Sequence, residues 1–349
     1  MTGTVTRHRL VVRGWPARRN RDHNAFQSLL SDALEQVDPR ITVEEFVPRR
    51  PWQRADVWHW HWPDSLLNGS TPSAAAKVLY MLTLVRIAHW RNIPIVWTAH
   101  NSVSHARRHP RLERLLWAEF VDRVAAVHYL SESSRLEISR HWPRLKTVPA
   151  IVTKHGAYPV ARPVPGPKVP EGAFVVAFVG KISHYKGVPD LVAAFDALRG
   201  SDVHLLVAGA LNPELGDWLE RRNRDDTRET WITHLLTEPE LAGVYEVADL
   251  VVFPYRAVTN SGSVIYALSA GKRVLAPALG SIPEVAATVG PLWLMTYEGK
   301  ISSKTLEAAI CRVRDTPKVD GPDLQAFQWN EIAEAVANFY WKISRRGVG

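Results

Sequence analysis

A segment in the second half of the chain carries residues that could bind an anion. In FVVAFVGKISHYKGVPDLVAAF an apolar strand pattern turns at Gly180, and a helical pattern resumes after Gly187. Glycines at a strand-to-helix turn let the backbone approach a ligand closely, while Lys181 and Lys186 supply positive charge beside it. The pattern predicts a diphosphate site, with a surface loop carrying two solvated lysines as the alternative. Its spacing is not GxGxxG, so the segment does not support a nicotinamide or flavin cofactor.

A second anion site is predicted by ADLVVFPYRAVTNSGSVIYALSAGKRVLAP, residues 248–277. An apolar strand ends at Pro254, and Asn260 or Ser261 is a natural N-cap for a helix that Gly271 closes. The first amides of such a helix lack intrahelical partners and, with the helix dipole, attract anions; Ser261 and Ser263 could add hydroxyl donors. Ligands of open α/β sheets bind at the carboxyl ends of strands, so two such loops in one domain favour a ligand site.

In the first half, DVWHWHWPDS (residues 56–65) places His59 and His61 on one face of an extended segment and the tryptophans on the other. We interpret the tryptophan face as core, with a sugar platform as the alternative. No convincing third ligand or D-x-D motif accompanies the histidines, so a metal site is disfavoured. The stretch is interpreted as the end of a strand at the rim of a pocket. His100 and Asn101 end a similar strand in VWTAHNS, where the histidine could instead merely cap the strand.

The elements that must position these residues alternate along the chain. Short apolar runs are separated by longer segments of helical period, which indicates parallel sheets covered by helices. The proline-rich residues 158–172 predict an extended linker between two series of strands. A chain of 349 residues is about twice the usual domain size, so two doubly wound domains are expected. The predicted strands are 10–12, 57–60, 95–98, 125–129, 174–179, 203–208, 250–253 and 274–276.

Composition restricts the class of protein. The chain is 46% apolar and 22% charged, as is usual for globular proteins, and its single cysteine, Cys311, excludes an internal disulfide and a Cys-rich zinc site. The N-terminus lacks the continuous apolar segment of a signal peptide, so we expect a cytoplasmic protein. Residues 1–160 hold 23 Lys and Arg against 13 Asp and Glu, whereas residues 161–349 hold 20 against 22. The basic half favours a polyanion or an anionic lipid leaflet, or is an ordinary solvated face.

Two helical segments of the first half bear on membrane contact. Residues 74–90 are apolar but too short for a membrane span and are interrupted by Lys77 and Arg86. A buried helix is predicted there, with a lipid-facing role for part of it left open. Residues 107–124 are compatible with interfacial docking or with an ordinary amphipathic helix, because they combine arginines with Leu112, Leu115, Leu116 and Phe120.

The motifs G-K-x-x-x-x-K-G and A-D-x-x-x-x-P-Y…N-S-G…A-L…G…V-L-A-P resemble the nucleotide-sugar domain of GT-B glycosyltransferases over most of residues 174–285. With DVWHWHWPDSLL, VWTAHNSVSH, KHGAY and VGPLWLMTYEG, nearly the whole chain resembles the xanthan-type GDP-mannose:glycolipid 4-β-mannosyltransferases of bacterial exopolysaccharide biosynthesis. The resemblance implies the GT-B fold, an α/β architecture of two Rossmann-like doubly wound parallel-sheet domains facing a cleft. The divisions expected are an acceptor-binding domain (1–157), the linker (158–172), a nucleotide-sugar-binding domain (173–324) and a helix packing back on the first domain (325–349).

The resemblance also implies a donor site for GDP-mannose, with the nucleoside lying toward residues 234–245, HLLTEPELAGVY. Many related retaining enzymes carry two glutamates eight residues apart near the donor sugar. The matching residues here are Val258 and Tyr266, so an inverting reaction is expected. The residues implied to bind the diphosphate and sugar are His100, Asn101, Gly180, Lys181, Tyr185, Lys186, Tyr255, Asn260, Ser261, Gly262 and Ser263.

Inverting transfer needs a base that takes the proton from the acceptor hydroxyl, and a positioned base contributes about 10²- to 10⁴-fold. Asp64 is the first candidate, because it follows a proline at the predicted pocket rim and the related enzymes keep a carboxylate there. His61 and His105 are the alternatives. Lys181, Lys186 and the helix start would stabilise the departing diphosphate, so no metal and no other cofactor are expected.

The expected acceptor is a polyprenyl-diphosphate-linked oligosaccharide, which places the protein peripherally at the inner face of the plasma membrane, against an anionic leaflet. Two alternatives remain open. One is a transferase of the same fold with another donor such as UDP-glucose, and the other is a catalytically silent nucleotide-sugar-binding module. A nucleic-acid partner is not supported, because no recognition-helix or RNA-binding motif is present.

Overall fold

In a computed structural model the chain forms two compact units, Met1–Gly156 with Phe327–Gly349 (the first unit) and Ala157–Ala326 (the second unit). The structure describes residues 9–21, 24–63, 70–100, 109–198, 202–222, 227–317 and 320–346. The strands and α-helices among them, in chain order, are β1 (Leu10–Trp15), α1 (Phe26–Val37), β2 (Ile41–Glu45), β3 (Val57–Trp60), α2 (Thr71–Trp90), β4 (Ile95–Ala99), α3 (Pro110–Arg123), β5 (Ala126–Tyr129), α4 (Glu132–His141), β6 (Ala150–Val152), β7 (Phe174–Val179), α5 (Val188–Asp196), β8 (Val203–Ala208), α6 (Gly216–Glu220), β9 (Glu229–Ile232), α7 (Glu238–Val247), β10 (Leu250–Val252), α8 (Gly262–Ser269), β11 (Arg273–Pro277), α9 (Ile282–Val289), β12 (Leu294–Tyr297), α10 (Ser303–Asp315) and α11 (Trp329–Arg346).

The first unit is built on a parallel six-stranded sheet in the order β2-β1-β3-β4-β5-β6. Helices cover both faces, with α2 and α3 on one side and α1 and α11 on the other. Both faces of strand β3 are therefore covered by helices. Trp58 and Trp60 pack with α2 and α3, whereas Val57 packs with α1 and α11. A parallel strand covered on both faces must be apolar throughout or satisfy its polar side chains internally.

The second unit has its own parallel six-stranded sheet, in the order β12-β11-β10-β7-β8-β9. Helices α5 and α10 pack on one face of it through a single apolar cluster. The proline-rich segment after β6 has no regular element before β7 and lies against this unit. Its Tyr158 amide donates to Ser269 Oγ over 3.0 Å, and Gly166 approaches the backbone of Gly243 in α7 so closely that a Cβ would not fit.

All eight predicted strands are present, and the two predicted series form the two sheets, so the predicted α/β doubly wound fold class is confirmed. The predicted strands 57–60, 174–179 and 203–208 have the observed bounds, whereas β1 continues to Trp15 and β10 ends before Phe253. Strands β2, β6, β9 and β12 were not predicted.

The two helices that raised the question of membrane contact differ in their exposure. No helix in the described ranges is long and apolar enough to cross a membrane. Helix α2 buries one face, including Met81 and Val85, as predicted, but leaves the opposite face in solvent. In α3, Leu116 and Phe120 are fully buried, so this helix covers the sheet and does not present those side chains to a lipid surface.

Candidate functional site

The two predicted anion loops of the second unit begin side by side. The chain passes from β7 to β8 and β9 on one side of the sheet and later returns to place β10 on the other side of β7. This reversal between β7 and β10 is a topological switch point, where loops diverge and leave a crevice at the carboxyl edge of the sheet. The loop after β7 begins with Gly180 and Lys181, and the loop after β10 contains Tyr255.

A glycine allows the two loops to touch. Gly187 precedes α5 with a φ of +75°, and a Cβ there would collide with the carbonyl oxygen of Pro254. The loops are further joined by Arg256, whose amide donates to the carbonyl of Tyr185 over 3.2 Å. The Arg256 guanidinium also donates to both carboxylate oxygens of Asp190, over 2.6 and 2.8 Å, and so lowers the pKa of that carboxyl. Glycine and ion pair together fix the relative position of the two loops.

Two predicted donor-site residues, Lys186 and Ser261, contact a third, Tyr255. The ammonium of Lys186 lies 4.1 Å from the centre of the Tyr255 ring, a cation–π contact. The Ser261 hydroxyl donates to the Tyr255 hydroxyl over 3.2 Å, and Ser261 Oγ accepts from the amide of Val264 over 3.3 Å. Ser261 is therefore the N-cap of α8, as predicted, and its buried hydroxyl is already engaged within the protein.

The start of α8 keeps donors for an anion. Among the described residues, no acceptor faces the backbone amides of Gly262 and Ser263, which are the first two of the helix. Asn260 lies partly buried immediately before the cap, while Lys181 and Tyr185 are exposed in the loop after β7. Lysine charge, free amides and the positive end of a helix at one switch point suit a diphosphate.

Tyr266 and Val258 provide no carboxylate near this helix. The Tyr266 ring stacks on Tyr245 with ring centres 5.3 Å apart and an interplanar angle of 24°. Val258 is partly buried, and its carbonyl oxygen lies against Gly280. No acidic side chain from these two positions is available to contact a donor sugar.

The first unit has a pocket at its own switch point. Strands β1 and β3 are neighbours from which the chain diverges to β2 on one side and to β4 on the other. A pocket of about 560 Å³ opens there at the carboxyl ends of β1, β2 and β3. Its aromatic lining is Trp15, Trp60 and Trp62, its charged lining is Arg19 and Glu45, and the remaining lining residues are Pro16, Asn20, Asn24, Pro63 and Met81.

Glu45 is the carboxylate of this pocket. Its Oε2 accepts from the backbone amides of Ala17, Arg18 and Arg19 over 3.1 to 3.3 Å, which fixes the side chain. Its Oε1 is buried, has no hydrogen-bond partner among the described residues, and lies 3.8 Å from Nε of the exposed Arg19. At 3.8 Å the contact with Arg19 is too long for a hydrogen bond, so Oε1 keeps its capacity to accept one from a ligand hydroxyl.

Five histidines lie together in the first unit and form what we call the histidine cluster, which consists of His59, His61, His100, His128 and His155. A continuous hydrogen-bonded chain runs through two of them. Tyr340 OH lies 2.6 Å from His59 Nδ1, and His59 Nε2 lies 2.6 Å from Thr98 Oγ1. Thr98 Oγ1 lies 3.0 Å from His128 Nδ1, and His128 Nε2 lies 2.7 Å from Thr153 Oγ1.

The cluster is held neutral by burial. Burial lowers the pKa of His59 and His128 to about 3 and that of His155 to about 4. Burial first, and then repulsion from neighbouring histidines, lowers the pKa of His61 and His100 well below the usual value. Within the described ranges, no group of three or more His, Cys, Asp or Glu is arranged to hold a metal ion.

The stretch that begins with β3 lines a pocket, as predicted, through Trp60, Trp62 and Pro63, but its histidines lie in the interior. His59 and His61 are each only 3% exposed, and His61 Nδ1 lies 3.2 Å from His100 Nε2. The strand ends at Trp60, so Trp62 leaves the alternation and stacks on His100 with ring centres 4.4 Å apart. Trp62, and not the histidines, lies at the rim. His61 is poorly placed to act as a base, because its ring is buried and paired with His100.

Comparison with known proteins identifies the class of enzyme. Residues 173–314 match the family model described as "Glycosyl transferases group 1". Over 346 residues the chain is 28% identical to a GDP-mannose:glycolipid 4-β-D-mannosyltransferase of Xanthomonas campestris pv. campestris, covering 96% of this chain and 93% of the relative. The chain is a glycosyltransferase.

Solved structures place this glycosyltransferase in the GT-B fold. Sucrose-phosphate synthase from Thermosynechococcus elongatus matches with a TM-score of 0.69 and 15% identity, over 96% of this chain and 99% of that chain. Anabaena HepE in complex with UDP matches with a TM-score of 0.60 and 14% identity, over 97% of this chain and 98% of that chain. At these identities the likeness concerns the fold alone.

Three features of the two units were not predicted from the sequence, and three predicted residues lie outside the described ranges. Two of these features are contacts between residues far apart in sequence, which leave no local pattern: the Asp190–Arg256 ion pair and the Tyr340–His59 hydrogen bond. The third is Glu45, which accepts from amides that are also distant in sequence. The one signal for Glu45 is a carboxylate that ends a short alternating run, ITVEE. The predicted catalytic residues Asp64 and His105 and the predicted donor residue Asn101 lie outside the described residues.

Proposed function

We propose that this glycosyltransferase moves mannose from GDP-mannose, with inversion, to a lipid-linked oligosaccharide in exopolysaccharide biosynthesis at the inner face of the plasma membrane. The observation that carries the proposal is the candidate diphosphate site of the second unit, where Lys186 and Ser261 at the start of α8 contact Tyr255 at a switch point. The donor and acceptor class come from the Xanthomonas relative, whose similarity extends over 96% of this chain.

The proposed reaction uses the chain's own groups. The oxygen of an acceptor hydroxyl bonds to the anomeric carbon, the bond from that carbon to the donor phosphate oxygen breaks, and GDP leaves with the electron pair. The hydroxyl proton passes to a base, for which Asp64 remains the proposed residue. Lys186 and the amides of Gly262 and Ser263 would stabilise the charge that develops on GDP. Val258 and Tyr266, in place of two glutamates, support inversion. No metal or cofactor enters this scheme.

The proposed acceptor subsite is the pocket of the first unit. Indole rings suit the apolar faces of sugar rings, and the neighbouring asparagine and charged side chains suit hydroxyl groups. The acceptor's terminal sugar would lie against Trp15 and Trp62, with a hydroxyl reaching the fixed carboxylate of Glu45.

The test is to incubate the purified protein with labelled GDP-mannose and bacterial membrane extract and to determine the anomeric configuration of the product. A β-mannoside on a lipid-extractable product is expected. An α-linked product would contradict inversion. Thermal unfolding with GDP and with UDP separates the donors, because stabilisation by UDP and not by GDP would favour a donor such as UDP-glucose. Stabilisation by GDP without any transfer would indicate a silent binding module.

A further inference from the structure

The outer face of α2 exposes large apolar side chains. Leu79 is 65% exposed and Trp90 is 82% exposed, although both lie in a well-packed helix. On a helix of 3.6 residues per turn, Leu79, Thr83, Arg86 and Trp90 fall within about 60° of one another. They form one stripe about three turns long, opposite the face that packs on the sheet. Solvation of this stripe is unfavourable, because it leaves a leucine and an indole in water.

A loop beside α2 extends the same surface. The Tyr80 hydroxyl donates to the carbonyl oxygen of Pro48, and the guanidinium of Arg91 donates to the carbonyl oxygens of Pro51 and Gln53. These bonds hold residues 46–55 along the side of the helix. The loop carries Trp52, which is 68% exposed. We call the loop and the exposed face of the helix the α2 surface; its exposed aromatic and leucine residues are Trp52, Leu79, Tyr80 and Trp90.

The charges of the α2 surface have one sign. Residues 46–55 and 70–92 contain no Asp or Glu and hold six cationic residues, namely Arg49, Arg50, Arg54, Lys77, Arg86 and Arg91. Arg86 has an acidic partner in α3, where Glu119 lies 3.5 Å from it and also pairs with Arg123. Exposed indoles beside arginines, in segments that hold no acidic residue, are typical of a face that lies in the headgroup region of an anionic leaflet.

We infer that the α2 surface is the membrane-docking face of this protein and that its partner is an anionic lipid bilayer. Trp52, Leu79 and Trp90 enter the interfacial region, while the arginines contact lipid phosphates. Each arginine near such a leaflet raises binding about fivefold, which corresponds to about 1 kcal/mol. The inference rests on the proposed function, because a lipid-linked acceptor has to be reached at a membrane. Of the two helical segments for which the sequence left membrane contact open, the inference selects α2 and not α3.

The test uses the full chain with two kinds of vesicle. One kind is pure phosphatidylcholine, and the other also contains about 30 mol% phosphatidylglycerol, which is anionic. The expected result is binding to the anionic vesicles that weakens with salt, and little binding to the neutral ones. Leu79→Glu and Trp90→Glu should each lower vesicle binding at least tenfold. Leu136→Glu is the matched control, because Leu136 is a leucine on α4 of the same unit with 54% exposure, and it should bind as wild type does.

Vesicle binding and thermal stabilisation by GDP together distinguish membrane docking from donor binding. Thermal stabilisation by GDP should persist in both α2 variants, which shows that they are folded and that the donor site is intact. Vesicle binding that is unchanged in Leu79→Glu and Trp90→Glu would overturn the inference, as would equal binding to neutral vesicles. Self-association that both variants abolish, in a protein that does not bind vesicles, would assign the surface to a second copy of the chain. Vesicle binding by a protein that GDP does not stabilise would overturn the proposed donor and leave the docking face standing.

Discussion

Acidification should destabilise the first unit through the histidine cluster. The pKa of His59 and of His128 is about 3 in the folded chain, and that of His155 is about 4. In the unfolded chain the pKa of each of the five rings is about 6.5. The folded state therefore binds fewer protons than the unfolded state below that pH. It follows that the stabilisation is complete above about pH 6.5 and is lost as the pH falls toward the folded pKa values.

The magnitude follows from linkage. Between pH 7.5 and 5.5, a histidine that stays neutral in the folded state lowers the free energy of unfolding by about 1.4 kcal/mol. The three rings with folded pKa values of about 3 to 4, His59, His128 and His155, therefore account for about 4 kcal/mol. Burial lowers the pKa of His61 and His100 as well, so these two rings add to the loss in the same direction. Domains are stabilised by only about 5–15 kcal/mol, so much of the stability of the first unit should be gone at pH 5.5.

The assay is urea unfolding at pH 7.5, 6.5 and 5.5, followed by circular dichroism, with hydrogen exchange to locate the loss in β3, β4 and β5. His128→Gln should reduce the pH dependence by about one proton, that is by about 1.4 kcal/mol over this interval. This difference is independent of any constant cost of the substitution. His184→Gln is the control, because His184 is exposed and lies in the second unit.

A free energy of unfolding that stays constant from pH 7.5 to 5.5 would refute the reasoning. So would an equal decrease in wild type and His128→Gln. Either result would mean that the rings of the cluster exchange protons with solvent in the folded protein, contrary to their burial.

Other substitutions test the remaining contacts. Lys186→Met should weaken GDP binding about tenfold in calorimetry, because a charge-assisted contact to the diphosphate is lost. Gly187→Ala should lower the thermal unfolding temperature by more than Gly172→Ala does; both glycines have a φ of +75°, but only the former meets neighbouring backbone, so equal shifts would refute the close approach of the two loops. Tyr340→Phe should lower the free energy of unfolding by about 1–3 kcal/mol, since a buried ring nitrogen loses its partner, and a neutral effect would contradict that bond. Trp62→Ala should raise KM for the acceptor and leave KM for the donor unchanged, whereas equal changes in both would remove the pocket from acceptor binding.

The strands that the sequence predicted and those it missed differ in one physical respect. The eight predicted strands are the inner strands of the two sheets, and the four missed strands, β2, β6, β9 and β12, are the four edges. Inner strands are covered on both faces and are apolar in sequence, as in FVVAFV. An edge strand has fewer neighbours to bury it and tolerates polar residues, as in ETWI of β9, whose residues are all only partly buried. The pattern of β9 is therefore not distinguishable from that of a loop.

The site divides in a similar way. The donor loops could be predicted because glycine, lysine and N-capping serine act through the local backbone, and the structure brings Lys186 and Ser261 to one tyrosine. The histidine cluster could not be predicted from the sequence, because its hydrogen bonds join residues up to 281 positions apart. The alternation of His59 and His61 was visible in the sequence, but their burial depends on α11, which only the fold brings against β3. Periodicity predicts which face a residue occupies and not what covers that face.

Helix α11 has a consequence for the order of assembly. It packs on α1 and supplies Ile332, Val336 and Tyr340 to the core that covers β1 and β3. The first unit is therefore made of two pieces of chain separated by the whole second unit. During translation, Ala157–Ala326 emerges complete and can fold while the earlier unit still shows an uncovered apolar face. The first unit is therefore synthesised first but completed last. Its sheet stays accessible to chaperones that bind nascent chains until α11 has left the ribosome.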